Sequence, residues 1–162
     1  MNQTHLHLLV GHLPIFGSIV GGLILAYALW TKSDQIKVVA YLLLIISSIG
    51  AVVSYVTGEE AEETIENLHE VSENIIEQHE DFAIYALVGL AILGLSSLVG
   101  LFVSAKKHSS SKTVAIITLI VAFISFGLVA RTGFLGGQIR HSEIRDGAVG
   151  QVNTIDRPVA GS

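Results

Sequence analysis

The alternation of apolar and polar stretches divides the chain into four long hydrophobic runs, at residues 8–30, 38–57, 82–105 and 113–135. Each is long enough to cross about 30 Å of hydrocarbon at about 1.5 Å per helical residue. Within them only His12 and Arg131 carry a charge or an imidazole. No soluble core needs four such runs in succession. The pattern therefore predicts an all-α, integral membrane four-helix bundle over residues 1–145, followed by a polar tail at 146–162 that is expected to be disordered. The first run does not read as a cleaved signal peptide. It has no positive leader, it is too long, and no small-residue cleavage site follows it. Thr4 is placed to cap its helix.

Between the second and third runs the pattern changes. Ile65, Leu68, Val71 and Ile75 recur at helical spacing, and Thr57-Gly58-Glu59-Glu60 has the form of a capping box. A short amphipathic helix from 58 to about 69 is predicted within the acidic segment 58–81. A second start at Ser72 runs straight into the third span.

Charge then orients the bundle. The two short connections on one side, with Lys37, hold five lysines (Lys32, Lys37, Lys106, Lys107 and Lys112) against one acid, Asp34. The segment 58–81 on the other side holds ten acids and no Lys or Arg. The positive-inside rule places the lysine loops in the cytoplasm, and both termini and the acidic segment outside. A multi-pass inner-membrane protein is expected, with the bilayer as its first partner and no nucleic-acid partner.

Composition narrows the chemistry. Charged residues are 14% of the chain and mean hydropathy is +0.64. There are no cysteines, which excludes disulfides, thiolate zinc sites, Cys-held iron–sulfur clusters and haem attached through Cys. Six of the seven histidines gather at the outer side: His5, His7, His12, His69, His79 and His141. Glu59, Glu63 and Gln138 belong to the same layer. Measured along each span from the lysine side, the ligand-type residues lie at roughly 34–43 Å, with His12 and Arg131 deeper at roughly 27 Å. Imidazole with carboxylate suits iron, zinc, manganese or copper, and four-helix bundles commonly bind metals this way. Glu66-Asn67-Leu68-His69 is a single E-x-x-H. There is no H-E-x-x-H, no phosphate loop and no internal repeat.

His12 falls inside the first run, where a polar group needs a partner. Pro14 cannot donate to the carbonyl of Val10 and is expected to bend the helix there. His7, Gly11, Ser18 and Gly22 form a small-residue stripe suited to helix packing. Arg131 could pair with Glu59, hold a haem propionate, or snorkel to the interface. Tyr27, Tyr41 and Tyr55, with Trp30, read as an interfacial belt.

The first of these segments resembles a known family. His5-Leu6-His7-Leu8-Leu9-Val10-Gly11-His12-Leu13-Pro14-Ile15 is similar to the H-P-x-L-V-H-F-P-I opening of a bacterial domain-of-unknown-function family of four-span membrane proteins. Gly133-Phe134-Leu135-Gly136-Gly137-Gln138 resembles its G-G ending, and His79 stands where the family tends to carry a His at the start of span three. The patterns at 57–63, 77–80 and 131–141 resemble a subgroup. Leu13, where the family has Phe before the proline, and the acidic segment depart from it. The resemblance implies no established activity. Some related proteins are joined to redox domains, which points to haem or electron transfer.

Three readings follow. The first is a transition-metal site at the outer face, with His7, His12, Glu59, Glu63, His79 and His141 as ligands and Arg131 and Gln138 around them. It would serve redox chemistry or metal handling, with a homo-oligomer or redox partner protein. The second is a b-type haem protein using two facing histidines. The third is a non-catalytic membrane scaffold subunit whose histidines are polar anchors. A transporter is less expected, because polar residues do not visibly run through to the lysine side.

Overall fold

A computed structural model of the protein describes residues 10–65 and 73–140, with side chains described over 10–58 and 74–138. Among these residues there are four long helices: α1 His12–Thr31, α2 Asp34–Ile65, α3 Glu73–Ala105 and α4 Ser111–Arg140. All four are long and apolar enough to span a membrane. The chain is a multi-pass membrane protein with the predicted four-helix architecture.

Short turns join α1 to α2 and α3 to α4 at the lysine end. Both close the same way. Lys32 (φ 54°) and Lys107 (φ 49°) take the left-handed conformation. That geometry lets Ser33 N–H reach the Ala28 carbonyl at 3.0 Å, and His108 N–H the Val103 carbonyl at 2.9 Å. Ser33 then starts α2, its hydroxyl accepting from Ile36 N–H at 3.4 Å.

At the other end the boundaries differ from the pattern. Residues 58–65 are helical as predicted, but they continue α2 without a break and do not form a separate helix. Thr57 does not cap: its hydroxyl donates to the Val53 carbonyl at 2.8 Å, one turn back in the same helix. Glutamates are good helix formers, so nothing in the run that follows stops the ladder. Residues 66–72, including the remainder of the predicted amphipathic helix and the Ser72 start, lie outside the described residues, as do Thr4 and the tail. Pro14 sits in the first turn of α1, where its missing N–H has no helical partner to lose. Val10 is still helical and Gly11 is a turn, so the interruption falls where the proline predicts it.

Packing follows the ring α1–α2–α3–α4–α1, and diagonal pairs barely touch. The exterior is studded with Leu, Ile, Val and Phe, as a lipid-facing surface requires. Lipid is as apolar as these side chains, so close backbone approach has to hold the helices together. On α1, Gly17 on Ser47 and Gly21 on Leu44 supply it; Ser18 and Gly22, from the predicted stripe, are buried beside them, with Gly22 in ordinary contact with Ala122. Gly94 admits Ser48, and Gly100 lies flat against the Tyr41 ring.

Candidate metal centre

His79 lies in the second turn of α3, half-buried, and reaches across to α4. Its Nδ1 is 3.1 Å from the Thr132 carbonyl oxygen. A carbonyl can only accept, so Nδ1 carries the hydrogen. In the neutral ring the lone pair is then on Nε2. Gly136, one turn beyond Thr132, is the floor under the imidazole: a Cβ there would stand 3.2 Å from Cε1. The ring is thus seated and its tautomer set by α4.

The other predicted residues divide into three groups. Gln138 is half-buried at the end of α4, near the same level. His12 and Arg131 are exposed, on the surface of the bundle. His12 does not occupy a buried corner. It stacks on Phe16, centroids 6.4 Å apart. The first turn of α1 turns it outward while Pro14, two residues on, faces in. Arg131 forms no ion pair with any described acid; its guanidinium lies over Phe82 and Phe134, 5.6 Å from each centroid. His5, His7, His69 and His141 lie outside the described residues, and so do the side chains of Glu59 and Glu63, whose backbones belong to the last turns of α2. Among the described residues no three His, Asp or Glu side chains converge as a metal site.

Two features escape the sequence reading. Tyr41 is not part of the interfacial belt. It is fully buried, whereas Tyr27 and Trp30 are exposed and meet edge to face at 5.9 Å, as a belt pair should. Polar groups also do continue through the bundle. Ser111, Thr118 and Ser125 are buried along α4, with Ser97 and Ser104 on α3. At the lysine end, Lys37 Nζ pairs with Asp34 at 2.7 Å and donates to Ser111 Oγ at 3.1 Å, which in turn is 2.9 Å from Ser104 Oγ. The available signal is a seven-residue spacing, Ser111, Thr118, Ser125, Thr132, with Ala115, Ala122, Val129 and Gly136 interleaved.

Fold and surface define a multi-pass helical membrane protein with, among the described residues, a seated imidazole at its acidic end. No family profile, curated protein or solved structure matches the chain.

Proposed function

We propose that the chain binds a transition-metal ion, iron, zinc, manganese or copper, at the acidic end of the bundle, with His79 Nε2 as a ligand. The seating of His79 carries this reading. Metal-binding histidines characteristically donate their other ring N–H to a carbonyl or carboxylate, which fixes the tautomer and makes the ligating nitrogen more basic. Glu59 and Glu63, spaced one turn apart on α2, and His7 and His141 are the further ligands we propose. Gln138 belongs to the surroundings. His12 and Arg131, on the exposed surface, stand outside this set. The role is metal handling or redox chemistry, and the positive-inside rule puts the site on the outer face of the inner membrane.

The test is metal analysis and an absorption spectrum of detergent-purified protein. We expect near-stoichiometric metal in the wild type, lost in His79→Ala and kept in His108→Ala, a change at the lysine end. A Soret band that sharpens on reduction would replace the ion with haem. If neither metal nor haem is found, including after reconstitution, the histidines are structural and the scaffold reading stands instead.

A further inference from the structure

Within the apolar span of α4, Ser111–Gln138, Lys112 marks the lysine end and Arg131 is the second charge, far along the helix toward the acidic end. It lies twenty residues beyond Ser111, about 30 Å along the helix axis, which is the thickness of the hydrocarbon core. It therefore stands at the boundary between acyl chains and headgroups at the acidic end. It is exposed, and no described acid lies within ion-pair distance. A cation at the edge of the hydrocarbon is stabilised by an anion beside it.

Its neighbours shape what that anion can be. Phe82 on α3 and Phe134 on α4 each present a ring to the guanidinium, with Tyr85 edge-on to Phe82 at 6.1 Å. Cation–π contact holds the planar group in place and uses none of its N–H hydrogens. The N–H edge remains for a two-pronged acceptor, two oxygens on one centre, the bidentate geometry in which arginine binds phosphate. Tyr85 and Phe134 are themselves more than half exposed, at 57% and 55%. They add exposed apolar surface close to the charge, suited to a ligand that carries both a phosphate and hydrocarbon.

We propose that Arg131, Phe82 and Phe134 form a clamp for the phosphodiester of an anionic phospholipid in the leaflet at the acidic end. A zwitterionic lipid brings its own ammonium to the phosphate and competes with Arg131. A headgroup such as phosphatidylglycerol leaves the full negative charge for the guanidinium. This proposal is independent of the metal reading.

Native mass spectrometry of the full-length protein, released from detergent containing equal amounts of phosphatidylglycerol and phosphatidylcholine with the same acyl chains, tests it. We expect the wild type to retain phosphatidylglycerol over phosphatidylcholine. Arg131→Gln should lower that retention several-fold and abolish the preference. Arg131→Lys, which keeps the charge but not the flat fork, should fall between. The double change Phe82→Leu with Phe134→Leu keeps the charge and removes the rings; it should also weaken retention, and it decides the matter if Arg131→Gln does not fold by circular dichroism. Millimolar inorganic phosphate should not displace the lipid. Wild-type selectivity in Arg131→Gln, or displacement by free phosphate, would overturn the clamp.

Discussion

At the scale of single residues, the acidic end turns on one main-chain carbonyl. Thr132 offers its oxygen to His79 at 3.1 Å, toward the long end of the hydrogen-bond range, so a small displacement of the ring matters. Gly136→Ala supplies that displacement. The new methyl would stand 3.2 Å from Cε1 and 3.5 Å from Nδ1, and the imidazole must yield by a few tenths of an ångström. Alanine is the better helix former by up to about 1 kcal/mol, so helix stability should hold or rise. Metal affinity should fall by about ten-fold, the scale on which outer partners of ligating histidines act. Isothermal titration beside thermal melting in detergent separates the two effects. A variant that keeps its affinity would show that the carbonyl bond does not tune the ligand.

At the scale of helices, the bundle depends on where glycine lets one backbone meet another. Gly100 and Gly127 are a controlled pair. A Cβ at Gly100 would lie 2.4 Å from two ring carbons of Tyr41, which is fully buried and has no room to retreat. A Cβ at Gly127 meets nothing within 4 Å. Gly100→Ala should therefore destabilise the bundle by about 1–3 kcal/mol, the usual cost of overpacking. Gly127→Ala should be neutral or slightly stabilising. Tyr41→Leu should recover much of the loss in the Gly100→Ala background, since it removes the clashing ring. Unfolding in a mixed detergent series reads all three, and equal effects at the two glycines would refute the packing argument. The same pair shows what a sequence can and cannot reveal. Four spans and the two lysine-end turns are legible, because lipid imposes apolar length and turns collect polar residues. Tyr41 is not, because a tyrosine near the end of an apolar run looks the same whether it faces lipid or Gly100. The capping form at Thr57 misleads for a related reason: a mid-helix threonine that bonds back to Val53 leaves the same T-x-x-E string. The place of His79 near the level of Gln138 is legible from their spacing along the spans. Its seating is not, since the partner is a main-chain oxygen with no side-chain signature.

For the whole molecule, the unequal ends are the feature to explain, and the turns at the lysine end give a physical account. Lys32 and Lys107 hold left-handed conformations, at φ 54° and 49°, that glycine would adopt with about 1–2 kcal/mol less strain. Backbone stability alone would favour glycine at both. A lysine there places positive charge at the C-terminal, negative ends of the dipoles of α1 and α3. By the positive-inside rule it also predicts a cytoplasmic place for the loop. Charge thus accounts for residues that backbone geometry would not select, and it predicts which end faces in. The absence of cysteine makes the test direct. Ser109→Cys, in the exposed turn before α4, and Gln78→Cys, exposed in the first turns of α3, place one thiol at each end. A membrane-impermeant maleimide applied to intact spheroplasts should label Gln78→Cys and reach Ser109→Cys only after the membrane is opened. The reverse pattern would turn His79 toward the cytoplasm. The metal reading would then have to draw its ion from the cytoplasmic pool, and the lipid clamp at Arg131 would move to the inner leaflet with its geometry unchanged.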